Sequence, residues 1–109
     1  MTTFDEREQG YEAKFARDEE LRFKAKARRD KALGTWVDAQ LGLSGEAAGE
    51  YVKQALKEDF AHPGDTALVA KVLEDLKAKG VAIEERTVKK KLIELMANAV
   101  AQIEAGAGK

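Results

Sequence analysis

Residues 3–41 read TFDEREQGYEAKFARDEELRFKAKARRDKALGTWVDAQL, and the spacing of apolar residues in this stretch decides the fold. At about 100° per residue, one side of a helix carries apolar residues at both ends of the stretch. These are Phe4, Tyr11 and Phe15, followed about four turns later by Leu33, Trp36 and Val37. The pattern therefore predicts a helix whose apolar face is interrupted in the middle.

Three cations, Arg22, Lys26 and Arg29, occupy the interrupted part of that face. A helix packed along one core would not bury three cations, since an unpaired buried charge is costly. We therefore expect two units in series. Residues 21–41 are predicted to belong to a folded domain, and residues 3–18 to form an amphipathic segment that binds a partner.

Composition limits the classes of protein to consider. The 109 residues, 44% hydrophobic and 36% charged, fit one small soluble domain rich in helix. No apolar run approaches the roughly 18 residues that span a bilayer, and polar residues follow Met1 where a signal peptide would be apolar. We therefore expect a cytoplasmic protein without direct membrane insertion. The net charge of -1 argues against nucleic-acid binding, and the absence of cysteine excludes disulfides.

Helix start and stop signals divide the rest of the chain. Thr3 and Glu6 form a capping-box pattern, while Gly42 and Ser44 fit the end of one helix and the start of the next. Further helices are predicted at about 45–60, at about 66–79 and from the acidic pair Glu84 and Glu85 onward. Asp65 is expected to cap the second of these three helices.

No segment alternates apolar and polar residues as a strand does, so the predicted fold is all-α, a small four-helix bundle with a mobile amphipathic N-terminal segment. The expected boundaries are 1–18 for the N-terminal segment, 19–105 for the bundle and 106–109 for a disordered tail. The helix at 66–79 is expected to be central because its apolar face is the broadest. In the helix at 45–60, the expected core face consists of Ala48, Tyr51, Val52, Ala55, Leu56 and Phe60.

The sequence offers no set of residues for catalysis or metal binding. A nucleophile needs a base within reach, but His62 is the only histidine and Ser44 the only serine. There is no cysteine, and the acidic pairs at 19–20 and 84–85 do not converge on one face. We expect neither an enzyme nor a metal site, and we expect His62 to be a surface loop residue.

A basic run at residues 22–31 is the main candidate for anion binding. It contains one acid, Asp30, against six cations: Arg22, Lys24, Lys26, Arg28, Arg29 and Lys31. Such a run fits nucleotide phosphates or an acidic protein surface, with Arg22, Lys26 and Arg29 as contacts. The alternative is a solvated helix face that keeps the protein soluble. No phosphate-binding loop or dinucleotide motif accompanies the run.

The early aromatic residues Phe4, Tyr11 and Phe15 also allow two interpretations. Their rings either fold back onto the bundle as ordinary core or bind a partner, and the cationic interruption after them favours a partner. Recognition would then be of the helix-in-groove type. Gly10 weakens the isolated helix by about 1 kcal/mol. Residues 1–18 are therefore expected to be frayed in the free protein and helical when bound.

The sequence resembles a known family over essentially its whole length. The most specific stretches are MTTFDERE at 1–8, YEAKFA at 11–16, ELRFKA at 20–25, ARR at 27–29 and LGTW at 33–36. The resemblance continues through LGLSG at 41–45, DF at 59–60 and PGD at 63–65 to the closing helix. These stretches are similar to the ATPase inhibitor subunit zeta of alphaproteobacterial F-type ATP synthases.

The resemblance implies a four-helix bundle whose mobile N-terminal segment binds the catalytic head of the synthase. In the family, that segment enters the interface between catalytic and non-catalytic subunits near the rotor shaft, where it blocks ATP hydrolysis. The family is also associated with weak ADP or ATP binding by the bundle, and no other cofactor is implied.

The leading hypothesis is therefore a regulatory inhibitor that lies peripheral to the membrane-bound synthase. Its candidate partner contacts are Phe4, Arg7, Tyr11, Lys14 and Phe15. The alternative is a helical bundle without strong inhibitory activity that senses ADP or ATP through the basic run at 22–31.

Overall fold

The computed structural model describes residues 19–62 and 64–107. Within them the chain forms four α-helices and a short π-helical segment: α1 (Glu19–Leu41), α2 (Gly45–Ala61), α3 (Thr66–Ala78), α4 (Glu85–Gln102) and the π-helical segment Ile103–Ala107. No β-strand is present in this part of the chain. The predicted all-α fold is confirmed, and the predicted end at Leu41 and the predicted helices at 45–60 and 66–79 agree with the observed bounds to within one residue. The predicted N-terminal segment lies outside the described residues.

The ends of the helices follow local chemistry. Gly42 and Gly80, with φ of 74° and 77°, end α1 and α3, in a conformation open to glycine because it lacks a Cβ. The amide after Gly42 turns back onto the helix, where Leu43 N–H donates to the Asp38 carbonyl at 2.9 Å. This bond satisfies a carbonyl that the helix end leaves unpaired. Ser44 occupies the N-cap position of α2, although its hydroxyl makes no capping hydrogen bond.

The central helix is α1, which forms the two largest helix interfaces of the bundle, with α2 and with α4. The expectation that the helix at 66–79 would be central is wrong, because α3 makes only smaller contacts with its neighbours. A broad apolar stripe shows how much of one face is buried, whereas the extent of packing also depends on helix length. With 23 residues against 13, α1 is much the longer of the two.

Two apolar clusters hold the helices together. The main core is formed by Leu33, Val37, Tyr51, Ala55, Leu68, Val69, Val72, Leu76, Val88 and Leu92. A smaller core joins the first half of α1 to the end of α4, with Ala25, Ala99 and Val100 at its centre and Leu21, Met96 and Ile103 around them. Both ends of α1 are therefore packed, and the stretch between the two clusters contains Arg29 and Asp30, both buried.

The close approach of α1 to α2 depends on Gly34. A Cβ added at this position would lie 3.0 Å from Val52 Cγ2 and 3.1 Å from Val52 Cα. The second of these atoms is backbone, so a side-chain rotation of Val52 would not relieve the contact. The glycine therefore allows the two helix backbones to come closer together than any other residue would.

Phe60 does not belong to the core face predicted for α2. Its ring is 39% exposed and stacks on the ring of Phe23, while the fully buried position beside it is taken by Asp59. Tyr51, Ala55 and Asp59 follow one another at intervals of four residues, which places Asp59 on the buried stripe. Phe60 lies about 100° away from Asp59 around the helix, towards solvent.

Replacing Gly34 with alanine tests the close approach of α1 to α2. The contact with Val52 is expected to cost about 1–3 kcal/mol, which outweighs the helix-propensity gain of up to about 1 kcal/mol. Gly34→Ala should therefore lower the free energy of unfolding in a urea titration. The matched control is Gly49→Ala in α2, where nothing lies within 4 Å of the added Cβ and a small increase is expected. Equal effects of the two substitutions would show that the helices can separate without cost.

Candidate functional site

The predicted site has two parts, and the structure describes one of them. The five predicted partner contacts, Phe4, Arg7, Tyr11, Lys14 and Phe15, lie outside the described residues. The described part is the first half of α1, which carries the basic run and continues directly from the N-terminal segment.

Arg29 is the centre of this part of the molecule. Its side chain is only 7% exposed, and its guanidinium contacts three carboxylates. Nη2 donates to Asp65 Oδ1 at 2.9 Å and Nη1 to Asp65 Oδ2 at 3.2 Å, so this contact is bidentate. Nε donates to Asp30 Oδ1 at 2.9 Å, and Nη2 lies 3.4 Å from Asp59 Oδ2. Although burial opposes the charge on Arg29, hydrogen bonds and charge interactions with Asp65 and Asp30 raise its pKa.

These contacts connect three elements of the fold. Asp30 belongs to α1, Asp59 to α2, and Asp65 occupies the N-cap position of α3. Asp65 occupies the expected N-cap position of α3, but its carboxylate makes no capping hydrogen bond. It binds Arg29 instead. One guanidinium therefore fixes α1 against both α2 and the start of α3.

Lys26, one turn before Arg29, completes the group, which we call the Arg29 cluster: Lys26, Arg29, Asp30, Asp59 and Asp65. Lys26 Nζ lies 3.4 Å from Asp59 Oδ2. The cationic interruption in the apolar face is thus an ionic contact within the protein. The reasoning that α1 would not bury these cations is wrong for Arg29, whereas the Lys26 side chain remains 26% exposed. Burial of Arg29 is tolerated because its charge is paired.

Of the three cations predicted to bind an anion, the structure brings two together and leaves one apart. Lys26 and Arg29 both contact Asp59, within the protein. Arg22 is exposed at the surface of α1. The donors of Arg29 are occupied by the chain's own carboxylates, so an external phosphate would have to displace them.

Asp30 and Asp59 form a buried carboxyl pair beneath Arg29. Both side chains are fully buried, and Asp30 Oδ2 and Asp59 Oδ1 have no other hydrogen-bond partner. Burial and a hydrogen bond with Asp59 raise the pKa of Asp30 to about 8. The raised pKa favours a protonated Asp30, whose carboxyl group can donate a hydrogen bond to Asp59. Protonation also leaves the cluster balanced, with Lys26 and Arg29 against the carboxylates of Asp59 and Asp65.

Other polar contacts join the same helices farther from the Arg29 cluster. Tyr51 donates its hydroxyl proton to Asp75 Oδ2 at 2.8 Å, which connects α2 to α3. Burial and this hydrogen bond raise the pKa of Tyr51. Arg28 Nη1 donates to Gln102 Oε1 at 3.1 Å, which connects the first half of α1 to the end of α4. His62 lies at the surface as expected, 3.4 Å from Glu58.

Sequence reasoning missed the acidic half of the Arg29 cluster, although a signal was present. Asp30, Leu33 and Val37 lie at positions i, i+3 and i+7, so Asp30 falls on the buried face of α1. Asp59 falls on the buried stripe of α2 in the same way. A carboxylate within an apolar stripe predicts a buried partner, but the spacing alone does not identify which cation that partner is.

The described residues show no other chemical site of a familiar kind. Across 19–62 and 64–107, no three His, Cys, Asp or Glu side chains converge so as to hold a metal ion. The acids of the Arg29 cluster each face its guanidinium instead. None of the described helices is both long enough and apolar enough to cross a membrane.

Comparison with known proteins identifies the family. A family model described as ATPase inhibitor subunit zeta matches residues 1–102. The chain belongs to the ATPase inhibitor subunit zeta family. The match includes the N-terminal segment as well as all four helices, so it confirms the resemblance noted in the sequence. Membership of this family implies a regulatory role on the ATP synthase and a protein that is not itself a catalyst.

A solved structure supports the fold independently. A protein determined by solution NMR is 41% identical to the chain, with a TM-score of 0.67. The similarity covers 79% of this chain and 98% of the other. No curated protein matches the chain. The zeta family thus contributes the functional class, and the NMR structure shows that a relative of this chain has a similar architecture.

Removing the charge of Arg29 tests whether the cluster holds the helices together. Arg29→Ala leaves the carboxylates of Asp59 and Asp65 and the carboxyl group of Asp30 without their shared partner, and breaking a buried ion pair in this way costs about 3–5 kcal/mol. Thermal and urea unfolding should show this loss of stability. Arg22→Ala, on the exposed side of the same helix, is the control and should change stability by less than about 0.5 kcal/mol. Similar small effects would mean that the ionic contacts contribute little.

The shared proton predicts an unusual pH dependence. The pKa of Asp30 is near 3.9 in an unfolded chain and about 8 in the folded protein, so folding takes up a proton between these values. Stability should therefore be greatest at the acidic end of this interval and fall as the pH rises through about 8. Asp30→Asn mimics the protonated side chain, and its free energy of unfolding should vary less between pH 5.5 and 8.5. Parallel curves for the two proteins would contradict a shared proton.

Proposed function

We propose that this chain inhibits ATP hydrolysis by the F-type ATP synthase by inserting its N-terminal segment, residues 1–18, into the catalytic head. The segment binds as a helix at the interface between catalytic and non-catalytic subunits, near the rotor shaft, and blocks rotation in the hydrolytic direction. The observation that carries the proposal is the zeta-family match, which runs from residue 1 through the bundle. The protein accordingly acts in the cytoplasm, on the peripheral part of a membrane-bound enzyme.

The geometry of α1 supports a model in which the N-terminal segment inserts into the head and the bundle holds it. Helix α1 is described from Glu19 onward, next in sequence to the N-terminal segment. Its first half is fixed to α2 and α3 through Arg29 and to α4 through Arg28 and Ala25. A helix held on three sides is a rigid base. The first half of α1 therefore offers the synthase-bound segment a rigid point of attachment.

The aromatic residues of the segment supply its binding energy. A segment that becomes helical on binding loses conformational entropy, so a few well-buried side chains must contribute most of the affinity. Phe4, Tyr11 and Phe15 share one face and are suited to a hydrophobic groove, since aromatic anchors dominate such interfaces. Arg7 and Lys14 accompany this face and can pair with carboxylates at its edge.

Substitutions within the segment should change inhibition in opposite directions. Tyr11→Ala or Phe4→Ala removes an anchor worth about 2 kcal/mol, so the concentration for half-inhibition should rise roughly 30-fold. Gly10→Ala favours the bound helix by up to about 1 kcal/mol and should lower that concentration about fivefold. The measurement is ATP hydrolysis by the synthase from the same source as the chain is added.

Deletion of residues 1–18 tests whether inhibition requires the N-terminal segment. The core residues named above all lie in 21–103, so the shortened chain should keep its helical circular dichroism while losing inhibition. The proposal fails if the intact chain leaves the rate of hydrolysis unchanged. It also fails in its mechanism if the shortened chain inhibits as strongly as the intact one.

The alternative function, ADP or ATP sensing through the basic run, receives less support from the described geometry. Lys26 and Arg29 are engaged with carboxylates inside the protein. Nucleotide binding to the bundle would therefore depend on the exposed members of the run, such as Arg22 and Lys31. Titration calorimetry with ADP on the intact chain and on Arg22→Ala tests this alternative directly.

A further inference from the structure

Two aromatic rings from different helices stack on each other at the surface of the bundle. The ring centroids of Phe23, in α1, and Phe60, in α2, lie 4.9 Å apart with 13° between the ring planes. Phe23 is 59% exposed and Phe60 39%. We call these two residues the aromatic pair. It is absent from both apolar clusters of the interior.

The aromatic pair has the properties of a contact surface. Across the described residues, the large hydrophobic side chains left exposed are Phe23, Phe60 and Ile93, and two of these three lie together. Each ring restrains the other, and both sit on helices that are fixed by the Arg29 cluster. Such a preorganised pair loses little entropy when a partner covers it.

The position of the pair joins it to the N-terminal segment. Phe23 lies four residues after Glu19, the first residue of α1, which is about 6 Å along the helix axis. Any partner that grips residues 1–18 up to the start of α1 therefore lies within reach of the rings. The pair is the nearest exposed aromatic surface that the described bundle offers to such a partner.

Positive charge borders the rings. Arg22 precedes Phe23, and Lys57 lies one turn before Phe60; both are exposed and form no ion pair with another described residue within 4.0 Å. The exposed acid Glu19, one turn before Phe23, leaves the charge near the rings positive on balance. Lys24 is paired with Glu20 at 3.3 Å. The chemistry complementary to this surface is an apolar depression bordered by carboxylates.

The size of the pair limits what it can bind alone. A buried aromatic side chain contributes about 150–250 Å², so two partly exposed rings present far less than the roughly 800 Å² per partner of a stable interface. The pair is therefore too small to hold a second copy of this chain or a separate protein by itself. It is suited to extend a larger interface that already exists.

We propose that the aromatic pair is a second contact surface for the synthase head, which it meets through an apolar depression bordered by acidic groups while residues 1–18 occupy their groove. This inference rests on the proposed inhibitory function.

The test compares full-length variants in two assays, ATP hydrolysis and direct binding to the immobilised synthase head. Phe23→Ala with Phe60→Ala should raise the half-inhibition concentration and the dissociation constant at least tenfold. The control is Ile93→Ala, an equally exposed apolar residue in α4 (64%), which should change neither by more than twofold. Arg22→Glu with Lys57→Glu leaves the rings in place and should weaken both by several-fold, less so at high salt. Circular dichroism verifies the fold of each variant.

The outcomes separate the possible occupants. Unchanged binding and inhibition in both double variants overturn the proposal. Stronger inhibition after removal of the rings also overturns it, since the pair would then have held residues 1–18 back. The proposal is also overturned if sedimentation shows that the intact chain is a dimer and that the variant without the rings is not. In that case the occupant of the aromatic pair would be a second copy of the chain. If the intact chain binds the head without inhibiting it, the inhibitory function fails while the binding assay still decides the role of the rings. If the intact chain does not bind at all, both proposals fail.

Discussion

The bundle depends on the contact between one buried guanidinium and the side chains of three aspartates. Arg29 is placed inside the molecule, where an unpaired charge would be prohibitive, and Asp30, Asp59 and Asp65 together satisfy it. Because these acids belong to α1, to α2 and to the start of α3, the contact can form only in one arrangement of the three elements. The apolar cores supply the driving force for folding, but aliphatic side chains tolerate sliding and rotation far better than a bidentate ionic contact does. The Arg29 cluster thus sets the register in which the cores pack.

The helix boundaries could be predicted from sequence because local chemistry sets them. Gly42 and Gly80 provide the left-handed residues at which α1 and α3 end, and the apolar spacing between such breaks was sufficient to predict four helices and no strand. Which helix forms the largest interfaces could not be predicted from sequence in the same way. The stripe of α3 is broad, yet α1 forms the larger interfaces because it is longer and because Gly34 lets α2 approach its backbone. A single sequence shows which face of a helix is apolar, but it does not show how near the neighbouring backbone comes.

The described half of the site could be located from sequence but not interpreted. The basic run indicated Lys26 and Arg29 as candidates. The error was to assume that a cation on an apolar helix face must be exposed to solvent. The relevant acids are 30 or more residues away in the sequence for Asp59 and Asp65, and their distance from Arg29 is a property of the folded chain. Phe60 illustrates the same limit, since a ring at the edge of an apolar stripe turned out to pair with Phe23 at the surface. The roles given to Phe4, Tyr11 and Phe15 depend on family membership together with their spacing.

The position of Asp65 has a consequence for the loop that joins α2 to α3. An aspartate in front of a helix normally accepts the amide protons of the first turn, but here the carboxylate is turned towards Arg29 and the side chain caps nothing. The two sets of donors compete for one acceptor. The backbone of Asp65, with φ of -87° and ψ of -5°, is also not in the extended conformation from which an aspartate normally caps a helix. The first turn of α3 therefore lacks the roughly 1 kcal/mol that a side-chain cap contributes, and the same aspartate stabilises the packing of α1 instead.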